Sequence, residues 1–290
     1  MSETSTSETS TSGTATSGTS ASGTGNRTVL YTRRGRVGMI GFNRPEKLNA
    51  INRRLMTDLI AALEEFTADA QARVGILYGE GRAFCAGADL TPEGEYQAPD
   101  VLRDRAAIEN GVRTWLRLWE CPKPIIAQVH GYCIAGGTQP PLFCDIVAIA
   151  EETTVGFPKV PVGGGYISPM WSWRVGSQHA RLMSYLVGSE ITGRQAYEMG
   201  YAALIYPQSE LAAKVYELAE QIARLPSEML ALKKASNNRV QEIQGFRTAV
   251  TGCAEWDAIA HTADTVTLAR QWISEYGLRG AIAKFAAEGM

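Results

Sequence analysis

Two short stretches of this sequence put small residues where backbone amides can do chemistry. The first is "GRAFCAGADL", Gly81 to Leu90, and the second is "HGYCIAGGTQPPLFCD", His130 to Asp145. Ala86, Gly87 and Ala88 in one, and Ala135, Gly136 and Gly137 in the other, let a ligand come close to the main chain because no large side chain stands in the way. A helix that starts after such a turn leaves its first N–H groups without intrahelical partners, so they can hold an anion or a polarised oxygen. Either turn alone also reads as an ordinary loop. Together, at this separation, they predict one site built from both.

Pro140 and Pro141 belong to the same reading. In a first helical turn the amide has no intrahelical partner and a fixed φ suits the helix, so the prolines start a helix there rather than break one. The run "GGTQPP" therefore predicts a tight turn that delivers backbone to one point, then an apolar helix entering the core.

The elements that carry these turns are legible as a β/α alternation. The β-rich run "RVGMIGFNRP" ends at Pro45, "RVGILYGEG" (73 to 81) closes on glycines, and "PIIAQVHG" (124 to 131) and "CDIVAIA" (144 to 150) read as further strands. Ile51, Leu55, Leu59, Leu63 and Phe66 recur at helical spacing, with Asn49 or Asn52 as the N-cap. Helical patterns dominate from about Gln178 onward, in "QHARLMSYLVG", "TGRQAYEMG", "LAAKVYELAEQIARL" and "TADTVTLARQWISEYG". Short strands alternating with helices predict an α/β core.

Composition bounds the rest. Residues 1 to 25 are almost wholly Ser, Thr, Gly, Ala and Glu, too poor in apolar surface to offset the entropy of ordering, so a disordered tail is expected. A formal charge of −2 in 290 residues, without Lys/Arg runs, argues against nucleic acid or an anionic membrane as the partner. No stretch approaches the roughly 20 apolar residues that span a bilayer. The N-terminus lacks the basic-then-apolar order of a signal peptide, and a cytoplasmic protein is expected. Five cysteines, Cys85, Cys121, Cys133, Cys144 and Cys253, form no CxxC pair, which suggests neither a disulfide framework nor a metal site.

From residue 28 to 290 the chain resembles the crotonase (enoyl-CoA hydratase/isomerase) superfamily. The resemblance rests on "FNRPEKLNAI" (42 to 51), "GRAFCAGADL" (81 to 90), "PKPIIAQVHGYCIAGG" (122 to 137), "CDIVAIAEETTVGFPKVPVG" (144 to 163) and "RVGSQHARLMSYLVGSEITGRQAYEMG" (174 to 200), all in the family's order. It implies an α/β spiral of β-β-α units over residues 26 to 205. A helical region over 206 to 290 would then support trimerisation, with homotrimers or hexamers as the assembly. The implied ligand is an acyl-CoA, with coenzyme A carried as the substrate thioester and no separate cofactor.

Carried over by resemblance, the N–H groups of Ala88 and Gly136 form an oxyanion hole that stabilises a thioester enolate. Lys47, Leu48 and Ala50 lie against CoA, Ala86, Asp89 and Leu90 near the pantetheine, and Lys284 near the phosphates. Lys47 and Lys284 also read as solvated surface lysines. The family's hydratases use two glutamates, and this chain departs from both: the first position is Gln139 and the second, in "GFPK", is Lys159. Gly163, four residues on, keeps the register. A Gln amide cannot shuttle a proton, although it can orient a water or a substrate carbonyl. Lys159 reads as an electrostatic partner for a carboxylate or enolate, as a general base if buried, or as a salt-bridged lysine at the pocket's edge.

Glu93, Glu95, Tyr96 and Tyr166 are further acid/base candidates in segments that border the acyl pocket by resemblance. Trp115, Trp119, Trp171 and Trp173 read as buried packing rather than a ring-binding wall. His130, His179 and His261 read as hydrogen-bonded structural histidines. The expected function is an acyl-CoA-processing enzyme working through an enolate, by isomerisation, decarboxylation or C–C bond hydrolysis, and not an efficient simple hydratase. A non-catalytic acyl-CoA-binding protein is the other reading.

Overall fold

The computed structural model describes Met1 and residues 27–90, 100–163 and 168–289. The expected tail, together with Glu93, Glu95, Tyr96 and Tyr166, lies outside the described residues.

The central sheet holds six strands in the order β1-β2-β3-β4-β6-β9: β1 (Val29–Arg34), β2 (Val37–Phe42), β3 (Val74–Gly79), β4 (Ile125–Val129), β6 (Ile146–Ala150) and β9 (Leu204–Tyr206). β1 and β2 form an antiparallel hairpin, and every later pair in the sheet is parallel. Parallel neighbours need a crossover. α1 (Arg53–Ala68) joins β2 to β3, and α2 (Val101–Glu120) lies between β3 and β4. A second, three-stranded sheet pairs β5 (Tyr132–Ile134), β7 (Thr154–Gly156) and β8 (Glu190–Thr192).

Both faces of the large sheet are covered, which explains its unbroken apolar runs. Along β4, Ile125, Ala127 and Val129 enter the larger core while Ile126 enters the smaller one. β6 does the same with Val147 and Ile149 on one side and Ala148 and Ala150 on the other. The larger core also takes Leu55, Leu59, Leu63 and Phe66 of α1 and Trp115 and Trp119 of α2. The smaller is closed by Leu211, Val215 and Ala219 of α6 (Gln208–Ile222). Of the two candidate caps for α1, Asn52 does the capping: its side chain accepts from the Leu55 amide at 2.9 Å. Asn49 has another task at the site.

After β9 the described chain is helical, through α6, α7 (Ser227–Ile243), α8 (Phe246–Ala260) and α9 (Asp264–Glu288). α9 is broken at Gly277, whose φ of 69° lies in the left-handed region. The break lets its last turns fold back, so that Ala281, Ile282 and Phe285 pack with Trp272 against Val160 and Leu90. No helix among the described residues is long and apolar enough to cross a membrane.

Candidate functional site

The two small-residue turns meet. Cys85 and Cys133 pair as a parallel bridge, with the Ile134 amide bonded to the Cys85 carbonyl at 3.0 Å. Gly87 has a φ of 93°, and a Cβ on it would lie 2.9 Å from the Ile134 oxygen and 3.2 Å from the Gly136 nitrogen. A Cβ on Gly136 would lie 3.6 Å from the Ala88 nitrogen. A side chain is thus excluded at Gly87, and the Gly136 position faces the Ala88 nitrogen across the same gap. Among the described residues neither the Ala88 nor the Gly136 amide donates to a backbone carbonyl.

Each turn is held by its own scaffold. On the first, Ala88 bridges Ile51: the Ile51 amide donates to Gly87 O at 2.7 Å and the Asp89 amide to Ile51 O at 2.8 Å. Arg44, 12% exposed at its side chain, donates to Asp89 Oδ2 at 2.8 Å and also to the Ala50 carbonyl. Asn49 is fully buried at a φ of 56°, a conformation that Asn tolerates better than most residues. Its Nδ2 donates to Ala83 O at 2.8 Å and Glu80 O at 3.0 Å, and its Oδ1 accepts from the Arg44 amide at 2.9 Å.

On the second turn, Ala135–Thr138 form a 3-10 helix that runs into α3 (Gln139–Leu142), with prolines in the first turn as expected. α3 is the apolar helix expected there, a single turn with all of its residues buried. The Phe143 and Cys144 amides close back on the Pro140 and Pro141 carbonyls, and the Asp145 amide then joins Ile125 O at 2.9 Å, committing the chain to β6. Thr138 is the anchor of the turn: its Oγ1 donates to Ala135 O at 2.7 Å and accepts from Trp171 Nε1 at 3.0 Å, and its carbonyl accepts from Tyr201 Oη at 2.9 Å. Arg174 donates to the Leu142 and Cys144 carbonyls at the far end of α3, and burial pushes its guanidinium down from its ordinary value.

Gln139 is 2% exposed, and its Oε1 accepts from Trp115 Nε1 at 2.9 Å. Its Nε2 is buried with no partner among the described residues. Lys159 is different: its Nζ pairs with Glu190 Oε1 at 2.7 Å, with side chains 43% and 39% exposed. A lysine so placed is not desolvated, so the buried-base reading falls and the salt-bridged one describes it. Leu48 and Ala50 sit beside the first turn, the Leu48 carbonyl accepting from Ala86 at 3.0 Å. Lys47 is exposed next to them. Leu90 packs with the end of α9, where Lys284 donates to the Glu288 carboxylate and stands 4.9 Å over the Trp272 ring.

Trp115 and Trp171, at 1% and 0%, and Trp119 are buried as expected, while Trp173 is partly buried against the same core, and packing is only half of the role of Trp115 and Trp171. The indole N–H groups of Trp115 and Trp171 reach into the second turn, whereas that of Trp119 donates to Gln241 Oε1 at 2.7 Å. His130 and His179 bond backbone carbonyls, Gly81 O and Val175 O respectively. His261 is held by Asp104 at 2.6 Å.

The α/β architecture that carries these paired turns is shared with known proteins. The enoyl-CoA hydratase/isomerase family pattern matches residues 32–254. The chain belongs to that family, the crotonase superfamily. It is 32% identical over 222 residues to the 2,3-dehydroadipyl-CoA hydratase of Escherichia coli (strain K12), covering 74% of this chain and 83% of that one. It is 31% identical over 216 residues to the hydroxycinnamoyl-CoA hydratase-lyase of Pseudomonas fluorescens, covering 71% and 76%. Among solved structures, an enoyl-CoA hydratase/isomerase from Xanthobacter autotrophicus Py2 superposes with a TM-score of 0.84 at 29% identity, over 90% of this chain and 97% of that one.

Proposed function

We propose that this crotonase processes an acyl-CoA thioester by stabilising its enolate between the amides of Ala88 and Gly136. The observation that carries the reading is the gap between the two turns, where a Cβ on Gly136 would lie 3.6 Å from the Ala88 nitrogen, with both amides lacking a backbone carbonyl partner among the described residues. Charge moving onto the thioester oxygen is met there by two preorganised donors. CoA binding falls to the segment Lys47, Leu48 and Ala50 and to Ala86, Asp89 and Leu90, with Lys284 toward the phosphates. Gln139 has no titratable proton and Lys159 is spent on Glu190, so simple hydration of an enoyl-CoA is not the reaction this pocket favours. Exposed Leu182, Tyr185, Leu186, Trp256 and Ile259 support a homotrimeric or hexameric assembly.

The test offers saturated, 2-enoyl, 3-enoyl and 3-oxoacyl-CoA thioesters to the protein and to Gly136→Pro, which has no amide hydrogen at position 136. At least one should be turned over, and the variant should lose about 100-fold in rate, the scale of one lost oxyanion donor, while still binding CoA. Tight thioester binding with no turnover of any would establish the non-catalytic binding protein instead.

A further inference from the structure

Trp115 dictates which way the Gln139 amide points. An indole N–H is a donor only, so the group facing it at 2.9 Å is the amide oxygen, and the NH2 must point away. That NH2 is buried with no partner, in a side chain 2% exposed. A buried donor left unpaired is costly, and in a fold that satisfies its neighbours it signals a ligand that is to arrive. The neighbours are satisfied: Thr138 Oγ1, the Thr138 carbonyl, Tyr201 Oη and the Trp171 N–H are all bonded to one another or to Ala135.

The backbone says where the ligand lies. The Gln139 amide closes on Gly136 O, an i to i+3 bond, and in such a turn residues three apart share one face. The Gly136 face is the one that looks at the Ala88 nitrogen. The free amide of Gln139 therefore stands on the oxyanion side of the turn, one turn further along. The Ala88 and Gly136 nitrogens border the gap on that side.

We infer that Gln139 selects an acyl-CoA bearing an acceptor oxygen on its β carbon, a 3-oxoacyl thioester above all. The inference rests on the acyl-CoA reading above. The thioester oxygen takes the two backbone amides, and the β oxygen, one carbon beyond the α carbon, takes Nε2. A carboxylate at position 139 would repel that oxygen, whereas an amide fixed by Trp115 offers only hydrogens to it.

The experiment measures dissociation constants of acetoacetyl-CoA and butyryl-CoA by titration calorimetry on the full chain, on Gln139→Met and on Trp115→Phe. The parent should bind acetoacetyl-CoA roughly 10-fold more tightly, the scale of one satisfied buried donor. Gln139→Met, of similar volume, should erase that ratio while leaving butyryl-CoA affinity near the parental value, although it also leaves the Trp115 N–H unpaired and so should lower the melting temperature. Trp115→Phe frees the amide to rotate and should shrink the ratio. Equal affinities in the parent, or a preference that survives Gln139→Met, would overturn the inference. Failure of both thioesters to bind would overturn the acyl-CoA reading itself.

Discussion

Lys159 Nζ lies 2.7 Å from Glu190 Oε1, so the lysine that the sequence resemblance sets at a hydratase glutamate position is bound to a carboxylate from β8. The pair clips the 157–159 segment to the strand, alongside the Phe157 amide on Ser189 O and the Gly188 amide on Pro158 O. Exposed pairs of this kind contribute about 0–1 kcal/mol. Lys159→Met should accordingly shift the unfolding free energy by less than about 1 kcal/mol in a denaturant titration. It should also keep most of the acyl-CoA turnover. A loss of about 100-fold or more, the range of a missing general base, would restore Lys159 to the chemistry.

Gly136 and Gly137 are adjacent, yet alanine should affect them in opposite ways. A Cβ on Gly136 meets only ordinary contacts, at 3.6 Å or more, and its φ lies outside the left-handed region. Gly136→Ala should fold with unchanged or slightly higher melting temperature, since alanine restricts the unfolded chain. A Cβ on Gly137 would stand 2.2 Å from the Cys85 carbonyl oxygen, where backbone must move. Gly137→Ala should destabilise by about 2 kcal/mol or more, the scale of core overpacking. Comparable melting curves for the two variants would place the gap elsewhere.

Asn49 ties three segments together through Arg44, Glu80 and Ala83. Asn49→Ala removes three hydrogen bonds in a fully buried place and leaves a left-handed residue without the side chain that tolerates it. The expected cost is about 3 kcal/mol, read from chemical denaturation. Because the Ala83 and Glu80 carbonyls flank the first turn, CoA affinity should weaken as well. A variant of parental stability would show that the turn does not depend on this side chain.

The thiols should be quiet. Burial pushes Cys85 up to about 12 and Cys253 up to about 12, and it moves Cys133 and Cys144 in the same direction. With so little thiolate near neutral pH, a chromogenic disulfide reagent should react slowly with the native protein and promptly with the denatured one. Fast native reaction at Cys85, which lies in the first turn, would mean that the turn opens readily.

What the sequence made legible follows the physics of each segment. β2, β3, β4 and β6 were readable because both of their faces are buried, which leaves unbroken apolar runs. β1, with Thr32, Arg33 and Arg34 exposed at the sheet edge, gives no such run, and β5, β7 and β8 are three residues each, too short for any period. Pro140 and Pro141 marked a helix start correctly, but the helix length depends on where the Asp145 amide goes, a contact with Ile125 twenty residues away. Gln139 could be singled out by position. Its partner Trp115 could not, since a hydrogen bond across 24 residues leaves no local pattern. The same holds for the choice between Asn49 and Asn52, two similar side chains that only tertiary burial tells apart.

Hydration of crotonyl-CoA tests most directly the departure that the resemblance implies at Gln139 and Lys159. Adding water across the double bond requires one group to activate water and another to protonate the α carbon. Gln139 has no proton to exchange near neutral pH, and Lys159 is exposed and paired, so the parent should hydrate crotonyl-CoA slowly if at all. Restoring the glutamates is a natural rescue, and the structure says why two substitutions are not enough. Gln139→Glu can keep an oxygen on the Trp115 N–H. Lys159→Glu, however, would set a second carboxylate against Glu190, and like charges at that distance turn the newcomer away. Adding Glu190→Gln removes the repulsion and leaves an amide that can donate to the new carboxylate. Loss of the enoyl thioester absorbance should therefore be slow in the parent, little improved in the double variant and fastest in the triple variant. Rapid hydration by the parent would mean that this pocket runs the family's reaction with residues other than Gln139 and Lys159, whereas a double variant equal to the triple one would show that Glu190 does not face the new carboxylate.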